Sequence, residues 1–146
     1  MALCMLAVED VIEQLDPQEK LWPIYVMVVD DEPLLRSLLA DELRDSGLTV
    51  VEAASADEAL SYLGANTNVD LVFTDVQMPG TLDGLQLAAS LKAGNPYLPI
   101  IVTSGNVSAD LAGQHGTFIP KPYRIADAVA LVFKALGVEP RGGNHS

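Results

Sequence analysis

Basic residues are scarce in this chain: eight Lys and Arg stand against twenty Asp and Glu, leaving a formal net charge of −12. A protein that grips a phosphate backbone needs a clustered basic face, so nucleic acid is not an expected partner. Cysteine is nearly absent as well. Cys4 is the single one and has no internal partner for a disulfide, which fits a reducing, cytoplasmic setting and reads as apolar filler. Long hydrophobic runs are missing. None approaches the roughly 18 residues that span a bilayer, so neither a transmembrane helix nor a membrane partner is expected. The opening MALCMLAV lacks a positive flank and runs straight into Glu9 and Asp10, which argues against a secretory signal. What remains is a chain of 146 residues, 49% hydrophobic and 19% charged: one soluble globular domain with a short appendage at most, large enough to bury a core.

From Ile24 onward, short apolar runs alternate with helix-like stretches, the pattern of a parallel sheet covered on both faces. Strands are expected at Ile24–Val29, Thr49–Ala53, Leu71–Thr74 and Ile100–Thr103, with Phe118–Ile119 in a fifth. Between them, Leu34, Leu35, Leu38, Leu39 and Leu43 recur at helical spacing over Pro33–Ser46. Ser55 and Glu58 form a capping-box signature before a helix that buries Ala59, Leu60 and Leu63. A third helix is expected at Asp83–Leu91. Ile125–Leu136 closes the domain, with Val129, Val132, Phe133 and Leu136 facing in and Gly137 as the stop. The strands are continuously apolar, which favours burial on both faces and hence a doubly wound α/β fold with a five-stranded parallel sheet. Residues 1–23 read as an N-terminal extension: Val8, Val11, Ile12 and Leu15 make a short amphipathic helix, packed on its own domain or offered to a partner or a second copy in a homodimer. Residues 139–146 read as a flexible tail.

The chemistry collects where the strands run out. Asp30 and Asp31 end the first, Asp75 the third, Ser104 the fourth, and Lys121 follows the fifth, just before Pro122. In an open parallel sheet these carboxyl ends share one edge, where ligands bind. Two unit charges about 4 Å apart repel by roughly 4 kcal/mol at an effective dielectric near 20. Three converging carboxylates therefore call for a cation, and Mg2+ accepts such hard oxygen ligands, with Mn2+ as a substitute. The plainer alternative is that Asp30 and Asp31 only cap the helix from Pro33. Asp75, which opens the run D-V-Q-M-P-G, has the chemistry of a phosphoryl acceptor. Such a transfer needs in-line positioning and neutralised phosphoryl oxygens, for which Lys121 and a hydroxyl from Thr103 or Ser104 are at hand. Adjacent strand residues point to opposite faces, so only one of those two hydroxyls faces the site.

The strings VVDDEP, TDVQMPGTLDG, TSG and FIPKPY, in that order, resemble the receiver domain of two-component response regulators over residues 24–138. The resemblance implies a flavodoxin-like sheet of order 2-1-3-4-5. It implies that Asp75 takes a phosphoryl group from a histidine kinase or a histidine phosphotransfer protein. Asp31 and Asp75 would bind Mg2+ directly, Asp30 through water, and the Gln77 backbone carbonyl would complete the protein ligands. Lys121 would contact the phosphoryl group, Ser104 fits the hydroxyl position better than Thr103, and Phe118 matches an aromatic position that reorients on activation. Two departures stand out. MPGTLDG carries one residue more than the shortest versions of that loop. The interval from Ser104 to Lys121 is several residues short, leaving a short or irregular fourth helix around Ala109–His115, on the surface through which such domains signal or pair.

The leading expectation is a phosphorylatable receiver with no attached effector, signalling by protein–protein contact. It would assist its own phosphorylation and dephosphorylation without being an enzyme. A receiver-shaped interaction module that works without phosphorylation is the alternative. A hydrolase with an aspartyl-phosphate intermediate is disfavoured, because Gln77 stands where a second acid would be wanted.

Overall fold

The computed structural model describes residues 22–65, 68–106 and 116–141. In chain order the elements are β1 (Tyr25–Val29), α1 (Pro33–Asp45), β2 (Thr49–Ala53), α2 (Ala56–Ala65), β3 (Leu71–Asp75), α3 (Gly84–Gly94), β4 (Ile100–Ser104), β5 (Thr117–Pro120) and α4 (Ile125–Leu136). The expected N-terminal helix, the short helix around Ala109–His115 and the last five residues of the tail lie outside the described residues.

All strand pairs are parallel and the sheet order is β2-β1-β3-β4-β5, as the resemblance implies. Alternation along each strand sorts the apolar residues into two cores. Val26 and Val28 of β1, Leu71 and Phe73 of β3 and Ile101 of β4 meet α1 and α4 on one face. Met27, Val29, Val72, Ile100 and Val102 meet α2 and α3 on the other. Two covered faces explain why the strand sequences carry no polar alternation.

The register carries the functional edge. Val29 pairs with Thr74, Asp75 with Thr103 and Ser104 with Pro120. Asp30, Asp75, Ser104 and Lys121 therefore leave the ladder side by side, although 91 residues separate the first from the last.

Local signals account for most element ends. Pro33 opens α1, where a missing amide costs nothing. The Glu58 amide donates to Ser55 Oγ at 3.1 Å before α2. Gly137 ends α4 at a φ of 71°, in the left-handed region. Differences are small and have reasons. Asp83 is the N-cap of α3 and not its first residue, because its carboxylate takes the Gln86 amide while the Gln86 side chain takes the Asp83 amide, each at 2.8 Å. Asp75 and Ser104 belong to their strands, since the ladder runs one residue further than the apolar pattern. Leu34 and Leu38 are 73% and 49% exposed: α1 buries the stripe of Leu39, Ala40 and Leu43, and Leu34 and Leu38, four residues apart on its flank, point outward.

Candidate functional site

Burial at the strand ends sets the electrostatics. Asp30 is 1% and Asp75 5% exposed, whereas Asp31 is open to solvent. Lys121 Nζ lies between the buried pair, 3.2 Å from Asp30 Oδ2 and 3.1 Å from Asp75 Oδ2, with Glu32 Oε1 at 3.4 Å. One lysine thus faces several carboxylates. Burial, and after it the charge of Asp30, pushes the Asp75 carboxyl up to about 6, with Lys121 opposing. Burial likewise raises Asp30, against the Glu32 amide and Lys121. Lys121 is itself desolvated, yet Asp30 and Asp75 hold it above the ordinary lysine range.

The backbone around these groups is held from several sides. Asp30 Oδ1 accepts the Glu32 amide at 2.9 Å, and Arg36 Nη1 donates to the Asp30 carbonyl at 2.6 Å while its Nε meets Glu52 Oε1 at 3.2 Å. The capping alternative for the aspartate pair is met only in part. Asp30 does fold back on Glu32, but the N-cap of α1 is Glu32, and no side chain caps it. The Lys121 amide donates to the Ser104 carbonyl at 3.0 Å, so the end of β5 and the end of β4 are tied at the site. The Lys121–Pro122 bond is cis.

One oxygen from each of Asp30, Asp31 and Asp75 falls within 4.8 Å of the others. Hard anionic oxygens, incompletely neutralised by a single ammonium, are a donor set suited to a divalent cation. Gln77 stands two residues past Asp75, exposed, with its side-chain Oε1 accepting from Asn106 Nδ2 at 2.8 Å. Ser104 is buried, and its Oγ accepts the Asn106 amide at 3.0 Å. Strand alternation puts Ser104 on the face of Val102, and Val102 pairs with Phe118. Ser104 and the half-buried Phe118 therefore share a face, on the side of the α2–α3 core. Thr103 lies on the opposite face, its hydroxyl buried without a hydrogen-bond partner.

Three contributors escape a reading of strand ends alone. Glu32 shares Lys121, Asn106 holds both Gln77 and Ser104, and Tyr123 stacks edge-on against Phe73 with centroids 5.7 Å apart. Asp-Asp-Glu and Ser-Gly-Asn are each contiguous in sequence, so two of the three follow once the neighbouring site residue is known.

The profile of the response regulator receiver domain matches residues 26–132. The chain belongs to the receiver domain family. The DNA-binding transcriptional regulator NtrC of Salmonella typhimurium is 38% identical over 116 residues, covering 76% of this chain and 24% of that protein. The response regulator MprA of a Mycobacterium species is 34% identical over 113 residues, 74% of this chain and 48% of that protein. The receiver domain of NtrX from Brucella abortus superposes with a TM-score of 0.70 at 34% identity, covering 78% of this chain and 99% of that one. The receiver domain of the hybrid histidine kinase CckA does so at 0.66 and 34%, over 77% and 98%. The chain spans about a quarter of the length of the NtrC relatives. As a receiver domain it belongs to two-component signalling, in which such domains work with histidine kinases and bind Mg2+. Among the described residues no helix is long and apolar enough to cross a membrane.

Proposed function

We propose that this receiver domain accepts a phosphoryl group on Asp75 from the phosphohistidine of a histidine kinase or histidine phosphotransfer protein. An Asp75 carboxylate oxygen attacks phosphorus, the P–N bond to the imidazole breaks, and the nitrogen keeps the electron pair, leaving an acyl phosphate on Asp75. Attack needs the ionised carboxylate. With its carboxyl titrating at about 6, Asp75 is mostly ionised near pH 7 yet less solvated than a surface aspartate. Asp31, Asp75 and the Gln77 carbonyl, with Asp30 through water, would hold Mg2+, which would supply neutralisation of the phosphoryl oxygens. Lys121, already 3.1 Å from the nucleophile, exchanges a carboxylate partner for a phosphoryl oxygen. Ser104 donates its hydroxyl to the same group, and Phe118 of β5, on the same sheet face, reorients in response. Output is by protein–protein contact. The domain assists its own phosphorylation and dephosphorylation and is not an enzyme acting on a separate substrate.

The observation that carries this reading is one lysine shared by two buried carboxylates at the ends of β1 and β3. Intact mass after incubation with Mg2+ and acetyl phosphate tests it. A single base-labile phosphoryl adduct is expected on the wild type and none on Asp75→Ala. A folded, Mg2+-binding protein that takes no adduct would instead support the phosphorylation-independent interaction module.

A further inference from the structure

The loop between β3 and α3 is pinned to a helix outside the site. The Thr81 amide donates to Asp57 Oδ2 at 3.1 Å and the Thr81 hydroxyl to Asp57 Oδ1 at 2.7 Å. Asp57 is in the first turn of α2, where the positive end of the helix favours a carboxylate. Gly80 makes the approach possible in two ways. Its φ is +119°, and a Cβ there would lie 2.6 Å from Asp57 Oδ2. Any larger residue would push the carboxylate off the loop. The two hydrogen bonds also hold the Asp57 carboxyl below the usual range, so the clasp is intact throughout the neutral region.

Further hydrogen bonds hold this loop at its ends. The Gly84 amide closes on the Val76 carbonyl at 2.8 Å, and Gln77 is held by Asn106 at 2.8 Å. Between them Met78 and Leu82 pack against the α2–α3 core, and Thr81 makes the hydrogen bonds to α2. A loop left untied samples more positions, and what this loop must place is the backbone of Gln77 beside Asp75. Resting on the metal-site reading above, we propose that Asp57 is a positioning residue: by clasping Thr81 it fixes the β3–α3 loop so that the Gln77 backbone is presented to a divalent cation at Asp30, Asp31 and Asp75. Asp57 itself does not touch the ion.

Outer residues that orient a metal ligand commonly change affinity by 10–100-fold when lost, and the lower end suits an exposed clasp, so Asp57→Ala should weaken Mg2+ binding about tenfold. Isothermal titration of the full chain with Mg2+ alone reads this directly. Thr81→Val, which keeps the α2 carboxylate, should weaken binding in the same direction, and Thr81→Ser should restore it. In phosphoryl uptake from acetyl phosphate, the Mg2+ concentration for half-maximal rate should rise in Asp57→Ala while the rate at saturating Mg2+ is retained. A purely structural role would lower the melting temperature and leave Mg2+ affinity unchanged; that result in either Asp57→Ala or Thr81→Val overturns the proposal. Absence of Mg2+ binding by the wild type would overturn the clasp and the metal-site reading together, whereas wild-type binding matched by Asp57→Ala would overturn the clasp alone.

Discussion

The two sides of the Asp75 carboxylate are built differently. Towards β1 and β5 it meets buried charge: Asp30, with Lys121 between them. Towards α3 it meets an exposed loop held by solvent-facing hydrogen bonds, Gln77 with Asn106 and Thr81 with the Asp57 carboxylate. Breaking a buried ion pair leaves an uncompensated charge and costs about 3–5 kcal/mol, whereas an ordinary hydrogen bond contributes about 1 kcal/mol. The difference teaches a division of labour. Charge that must be at hand for chemistry sits on rigid strand ends, and geometry that must adapt to an incoming ion sits on a loop tuned by weak contacts.

The contrast breaks most strongly at Lys121. Lys121→Met should destabilise the metal-free protein by about 3 kcal/mol, since Asp30 and Asp75 then face each other unpaired. Urea titration with and without Mg2+ checks this, and added Mg2+ should return part of the loss. If Mg2+ restores nothing, the carboxylates do not converge on an ion.

Next in size is Gly84, where the two sides meet. A Cβ there would overlap the Asp75 carbonyl oxygen, so Gly84→Ala should cost about 2 kcal/mol through forced backbone movement. Phosphoryl uptake should fall with it. Retained stability would mean that the α3 entrance is softer than its hydrogen bonds imply.

A pH series sharpens the charged side. The Asp75 carboxyl titrates at about 6 in the folded chain, above the ordinary 3.8. The folded state therefore holds this proton over a window in which the unfolded state has lost it. Its contribution to stability is full below about pH 4 and is lost as the pH rises through about 6, worth on the order of 2 kcal/mol. Asp75→Asn should flatten that part of the metal-free stability profile. Identical slopes in wild type and variant between pH 4 and 7 would sink the assignment.

The smallest effect belongs to the loop side. Asn106→Ala removes the bond to Gln77 and should cost at most about 1 kcal/mol. It should leave the Asp75-dependent pH slope unchanged. A change in that slope would show the two sides to be one electrostatic unit.

Much of this architecture is legible along the chain. The period of each apolar run, and the punctuation by Pro33, Ser55 and Gly137, locate the nine elements of the described residues to within a few residues. Asp30, Asp75 and Lys121 announce themselves because each follows directly on an apolar strand. Leu34 and Leu38 show the limit of such reading: five leucines at helical spacing describe a stripe wider than the sheet covers, and only the seat of α1 on β1 and β2 decides which are buried. Asp57 is the other case. As an acid in the first turn of a helix it has an ordinary explanation, and nothing in its own neighbourhood points to Thr81, 24 residues later.

By itself the sequence determined the alternation of strands and helices, the burial of the sheet on both faces, and the set of groups at one edge. Each of these follows from local periodicity, because side chains on a strand or helix repeat with the backbone. Only the tertiary structure decided that Lys121 sits between Asp30 and Asp75, that Ser104 and Phe118 share a face while Thr103 does not, and that Asp57 clasps the β3–α3 loop. Those outcomes depend on strand register and on how far one element stands from another, and such separations are set by the packing of the whole core.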